Sequence, residues 1–220
     1  MTAFWRLGPN EIEAKSFAII DQEAGRHSWP PDEWTLIRRL IHASADFDYL
    51  KDTVMSPLAL QAGIAAIKAG ATIVTDTRMA LSGINRRNLA PFANELVCLI
   101  DHPKTMELAQ AKASTRAQAA VDTAFAVLPK PSQVIWVFGN APTALFRLLE
   151  LLEEPTRPKP LLILGWPVGF VNALEAKREL SQKAPAPFIC NISRKGGSNI
   201  AAASVNALAR LAHGQAASDF

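Results

Sequence analysis

Phe188-Ile-Cys-Asn-Ile192, followed by Arg194-Lys-Gly-Gly-Ser-Asn199 and then the run Ile200 to Leu211, decides the fold. A short apolar run, a glycine pair and a long helix-forming run read as strand, turn and helix. The glycines remove Cβ atoms where backbone must approach something closely. Ser198 or Asn199 is the expected cap of the following helix, whose first amides carry partial positive charge. Arg194 and Lys195 add full charges at the same place, so the turn suits a carboxylate or a phosphate. Turn chemistry with solvated basic residues explains the same letters without a ligand.

The same pattern repeats upstream. Apolar, β-rich runs lie at Ala71 to Thr75, Leu96 to Ile100, Val134 to Phe138 and Leu161 to Leu164. Nearly continuous apolar runs of this length fit strands covered on both faces. Helical patterns separate them at Ala113 to Leu128, Thr143 to Glu154 and Phe170 to Lys183. Three more precede the first strand, at Asn10 to Glu23, Asp32 to Ala45 and Pro57 to Ala69, the last bounded by Ser56-Pro57 and Gly70. The alternation predicts α/β architecture: one three-layer α/β/α domain over residues 1–220 with a mainly parallel sheet, 213–220 being a frayed tail.

Composition narrows the function. With 220 residues, 49% of them hydrophobic, the chain has ample material for a core. Lys and Arg total 23 against 20 Asp and Glu, and there is a single tyrosine. No basic block with interleaved aromatics exists, which speaks against nucleic acid. Met1 to Arg6 carries no apolar signal core, and the apolar segment Leu161 to Leu174 is interrupted by Pro167 and too short for a bilayer. A cytoplasmic protein without a membrane partner is expected, its cysteines, Cys98 and Cys190, reduced and buried in strands.

Several chemistries lack their letters. No G-x-x-x-x-G-K-[ST], G-x-G-x-x-G, G-x-S-x-G or H-E-x-x-H occurs, and the cysteines are not paired as C-x-x-C. A metal site therefore has no local support, and a generic nucleotide-binding enzyme lacks its phosphate loop. Ligands of parallel sheets gather beyond the carboxyl ends of strands. The candidates there are Asp76, Thr77 and Arg78, then Asp101 and His102, Gly139 to Thr143, Gly165 to Gly169, and Arg194 to Asn199. His42 stands one step beyond the apolar stripe Trp34, Ile37 and Ile41. Arg38, one turn back, is expected to lower its pKa by like-charge repulsion, which suits an acid or base near neutrality.

These loops resemble a known family. Ser16-Phe-Ala-Ile-Ile20, Ile41-His42-Ala43, Asp76-Thr-Arg-Met79, Thr115-Arg116, Gly139-Asn-Ala-Pro-Thr-Ala-Leu145, Pro167-Val-Gly-Phe-Val-Asn-Ala-Leu-Glu-Ala-Lys177 and Lys195-Gly-Gly-Ser-Asn199 together resemble precorrin-8X methylmutases. They fall in the family's order from about Ser16 to Leu208. The resemblance implies an isomerase without an external cofactor, moving a methyl group from C-11 to C-12 of a corrin precursor. The product is hydrogenobyrinic acid, or cobyrinic acid if the substrate carries cobalt. It also implies a homodimer with pockets near the subunit interface, and His42 as the acid. Ser16 and Arg116 match positions that contact the macrocycle.

The expected site is thus catalytic His42 with substrate contacts at Ser16, Asp76, Arg78, Arg116, Asn140, Lys195, Gly196, Gly197 and Ser198. A methyl shift is unimolecular, so the protein needs no nucleophile or hydride carrier, only a held ring and a placed proton donor. The substrate's several carboxylates fit dispersed basic groups and helix termini. The alternative is a tetrapyrrole carrier that binds without turnover. One departure stands out: where the family often has a small residue and then glycine after His42-Ala43, this chain has Ser44-Ala45.

Overall fold

The structure, a computed structural model, describes residues 8–214; residues 1–7, which include Met1 to Arg6, the side chains of residues 9 and 10, and tail positions 215–220 lie outside that description. Helices α1 (Pro9–Ala24), α2 (Pro31–Ser44) and the short α3 (Tyr49–Asp52) lead into strand β1 (Thr53–Met55) and helix α4 (Ala59–Lys68). Strand β2 (Thr72–Thr75) is followed by α5 (Arg78–Gly83) and α6 (Arg86–Leu89), and β3 (Leu96–Val97) by α7 (Pro103–Ala111) and α8 (Arg116–Val127). Then come β4 (Val134–Phe138), α9 (Pro142–Leu152), β5 (Leu162–Gly165), α10 (Ala173–Lys183), β6 (Phe188–Asn191) and α11 (Ser198–Ala212).

The strands form one six-stranded sheet in the order β1-β6-β5-β4-β2-β3. All neighbours are parallel except β1 with β6. Alternation along each strand fills two cores. Ile135 and Val137, with Ile73, Leu162, Leu164 and Ile189, face α1, α2, α4 and α11. Val134, Trp136 and Phe138, with Val74, Ile163, Phe188 and Cys190, face α8, α9 and α10. Each strand is therefore apolar on both faces, the physical origin of its unbroken apolar run. Helix α11 is buried along nearly its whole length, its alanines allowing close approach to α2, α4 and α5.

Several expectations need adjustment. The strand expected at 96–100 ends at Val97, because β2 stops at Thr75 and Asp76 turns toward another loop, leaving no ladder partner for 98–100. Cys98 is consequently half-buried beyond the strand, while Cys190 is buried within β6; both thiols are free. The helix expected from Phe170 starts at Ala173, since Asn172 is left-handed at φ 65°, and the one expected from Ala113 starts at Arg116, since Ala113 sits at φ 47°. Strand β1 and helices α3, α5, α6 and α7 went unread in the sequence; α3 and α6 span 4 residues each, too few to show a period.

Candidate active site

The carboxyl edge of the sheet is built around Asp76. Its buried carboxylate accepts from the backbone amides of Gly139, Asn140 and Ala141, each at 2.8 Å. Burial pushes its pKa above the usual carboxylate range, and the three amide donors oppose that rise. Gly139 must be glycine: a Cβ there would lie 2.8 Å from Ser198 Cα. Next in the chain, Thr77 caps α5 by accepting from the Ala80 amide, and its hydroxyl meets the Ser198 hydroxyl at 2.8 Å. The ends of β2, β4 and α11 are thereby locked together.

Beside this junction opens a cleft of ≈ 520 Å³ lined by Asp76, Arg78, Asp101, Thr115, Arg116 and Asn140, among others. Arg116 is the first residue of α8, where a reciprocal cap between Thr115 and Gln118 fixes the helix start. The two guanidiniums converge on one carboxylate: Arg78 Nε lies 2.6 Å and Arg116 3.4 Å from Asp101. Both arginine side chains remain more than half exposed, at 65% and 56%. Two exposed cations beside the outward amides of α8 make this cleft suited to carboxylates.

His42 stands elsewhere, in the last turn of α2. Its ring packs 4.9 Å from that of Phe17. Two grooves meet at it. One, of ≈ 320 Å³, runs past Arg39, Gly83, Asn199 and Asn206. The other, of ≈ 400 Å³, runs past Ser16, Ile19, Glu23, Ala45 and Phe47. Burial and then Arg39 hold the imidazole pKa below its usual value, while Glu13 pulls it upward. The expected direction is thus present, but its first cause is burial and the like charge behind it is Arg39; Arg38 is paired with Asp21 at 2.8 Å.

The 194–199 turn is organised differently from the sequence expectation. The cap of α11 is Gly197, with no side-chain cap; Ser198 is the first helical residue and bonds Thr77, and Asn199 reaches the Ala43 carbonyl at 3.3 Å. What Gly196 approaches is the chain itself, since a Cβ there would lie 2.3 Å from the Trp166 carbonyl oxygen. Lys195 pairs with Asp46 at 2.6 Å and also with Asp48, and Arg194 lies over the Phe170 ring at 5.7 Å. Lys195, Gly196, Gly197 and Ser198 are not among the described residues lining the Arg116 cleft or the His42 grooves.

Sequence reasoning missed the group that holds this turn. Lys177 is fully buried, and its ammonium donates to Pro167 O at 3.0 Å, Asn191 Oδ1 at 3.1 Å and Lys195 O at 2.6 Å. Burial pushes its pKa down to about 8. A signal existed: Ala173, Ala176, Lys177 and Leu180 form the buried stripe of α10, and a lysine on an apolar stripe needs polar partners inside.

The fold and these sites define a class: a three-layer α/β protein with an arginine-lined cleft at the carboxyl edge of its strands and a histidine set between two grooves. The sequence profile of the precorrin-8X methylmutase family matches residues 11–211. A cobalt-precorrin-8 methylmutase from Leptospira interrogans is 44% identical over 218 residues, covering 96% of this chain and 97% of the relative. One from Salmonella typhimurium is 45% identical, covering 91% of this chain and 94% of its own. The crystal structure of a precorrin-8X methylmutase from Thermus thermophilus superposes with a TM-score of 0.84 at 49% identity, covering 92% of this chain and 96% of that one. The chain belongs to the precorrin-8X methylmutase family, and with it to the isomerases that shift a methyl group within their substrate in cobalamin biosynthesis. Among the described residues no helix is long and apolar enough to cross a membrane.

Proposed function

We propose that this chain moves the C-11 methyl group of precorrin-8X, or of its cobalt-containing form, to C-12, with His42 as the proton donor. The observation that carries this reading is His42 itself, an imidazole of lowered proton affinity shared by two grooves. A lowered pKa makes the imidazolium a stronger proton donor while leaving a smaller fraction of it protonated near neutrality. Arg116, Arg78, Asn140 and the α8 amides receive substrate carboxylates, and Ser16 borders the ring beside His42. Asp76 acts from behind, holding the 139–141 amides in place. Lys195 and Gly196 to Ser198 contribute by shaping the loop edge.

The chain acts as one domain and as a cytoplasmic homodimer in this reading. In support, the Arg116 cleft and the His42 grooves have no described lining residue in common, so a second copy offers a way to complete the site. Phe170 and Val171, 85% and 77% exposed, supply apolar surface for it. Light scattering at micromolar concentration tests the dimer; a monomer overturns it.

Incubating the purified protein with a molar excess of precorrin-8X and following the visible spectrum tests the activity. Multiple turnovers to the hydrogenobyrinic acid spectrum are expected. A single stoichiometric spectral change on mixing, with no turnover, would instead identify a carrier.

A further inference from the structure

Three helices meet at an ionic cluster beside His42. Glu13 on α1 accepts through Oε1 from Arg39 of α2 at 2.8 Å and from Arg210 of α11 at 3.4 Å. The Arg39 guanidinium lies 5.1 Å from the centre of the Phe17 ring, and the His42 ring packs on that same phenyl group at 4.9 Å. Arg39 and His42 also share the wall of one groove. The charged side chains are largely withdrawn from water, at 34% exposure for Glu13, 13% for Arg39 and 22% for Arg210. Charges in such a setting are less screened than in open solvent.

We propose that Glu13 and Arg39 are positioning residues for His42, an opposed pair in which Arg39 drives the proton off the imidazole and Glu13 holds it on. The proposal rests on the reading of His42 as the proton donor. The two charges act in those two directions on the imidazole. Arg210 draws on the same Glu13 oxygen, so the carboxylate is divided between two cations and its hold on His42 is moderated. The other groups facing His42 do not duplicate this pair. Glu23 stands across the second groove, and Asn199 and Asn206 are neutral. Arg38 also lies over the Phe17 ring, at 4.4 Å, but its charge is paired with Asp21 at 2.8 Å and it is not among the described residues lining the His42 grooves. The carbonyl end of α2 adds partial negative charge that favours the imidazolium. Neither Glu13 nor Arg39 need touch the reacting carbons; both act through the acid.

The test is an NMR titration of the His42 imidazole in the full-length wild type and in Arg39→Gln, Glu13→Gln and Arg39→Lys, paired with kcat against pH on precorrin-8X. Arg39→Gln should raise the His42 midpoint and Glu13→Gln should lower it, each by roughly 0.3–1 unit. Arg39→Lys, which keeps the charge, should stay close to wild type. The separation should contract in 1 M NaCl, where the Debye length falls to about 3 Å. The kcat profile should move with the same signs. A merely structural role would move both neutral variants the same way, and that outcome, or two unmoved midpoints, overturns the proposal. Midpoints that separate while the kcat profile stays fixed uphold the coupling and overturn His42 as the donor. If Arg39→Gln does not fold, Glu13→Gln alone decides through the direction of its shift.

Discussion

Lys177 Nζ donates to the carbonyl oxygen of Lys195 at 2.6 Å, so one buried ammonium ties helix α10 to the turn after β6. Its other two bonds reach the loop after β5 and the end of β6. Lys177→Met strands two buried acceptors, Pro167 O and Asn191 Oδ1, while Lys195 O keeps its bond from Asn191 Nδ2 at 3.0 Å; each stranded acceptor costs about 1–3 kcal/mol. Allowing for relaxation and entering water, we expect a loss of roughly 2–4 kcal/mol, about 2–4 °C of melting temperature per kcal/mol. The pH dependence has a definite sign. Burial sets Lys177 at about 8 in the folded chain against an ordinary 10.5, so between those values the unfolded chain binds more protons. Wild type should therefore gain stability relative to Lys177→Met as pH rises from 8 toward 10. Urea midpoints across that range check it, and a constant difference would count against the shift.

Asp76→Asn replaces an acceptor of three amides with a group that has one carbonyl oxygen and an NH2 facing an N–H. At least one amide of Gly139, Asn140 or Ala141 loses its partner, costing about 1–3 kcal/mol. We expect a lower urea midpoint together with a raised KM, because the Asn140 side of the cleft moves. A KM equal to wild type would separate Asp76 from the cleft.

Ala45→Gly should stabilise the protein. Ala45 ends α2 at φ 53°, ψ 34°, a left-handed conformation that L-residues with a Cβ adopt at a cost of about 1–2 kcal/mol. Glycine relieves that strain but adds freedom to the unfolded chain, leaving a net gain of roughly 0.5–1 kcal/mol. A melting temperature about 1–4 °C higher is expected from calorimetry.

His42→Ala should still bind hydrogenobyrinic acid, since the carboxylate contacts lie in other residues. Turnover should fall by ~10²–10⁴, the range of a general acid. A variant keeping more than about half of wild-type turnover would assign the proton to another group.

Arg116→Ala removes a charge-assisted contact worth about 1.5–3 kcal/mol. Affinity for hydrogenobyrinic acid should drop roughly 10- to 150-fold at ~1.4 kcal/mol per tenfold. Lys195→Ala should cost less, because its ammonium is already engaged by Asp46 and Asp48. Calorimetric titration of both variants, with an esterified product as control, separates the two; unchanged affinity in Arg116→Ala removes that residue from the site.

Local pattern alone carried β2, β4, β5 and β6 to within one residue at each end, because alternating residues of a strand covered on both faces must all be apolar. The start of α8 was set too early at Ala113, although the Thr115 and Gln118 pair three residues apart is a local signature of the capped start. Strand β1 was not, since a 3-residue edge strand has no period of its own and exists only because β6 offers it an antiparallel ladder. Nor could the letters tell which of Arg38 and Arg39 would face His42. Both sit within a turn of it, and the choice falls to Asp21 and Glu13 on a different helix, which draw one guanidinium each. The same holds for Asp76, whose amide partners lie 63 to 65 residues away, and for Lys177, 18 residues from Lys195. Periodicity records which face of an element leaves water; the partner of a buried charge is chosen by how those elements pack.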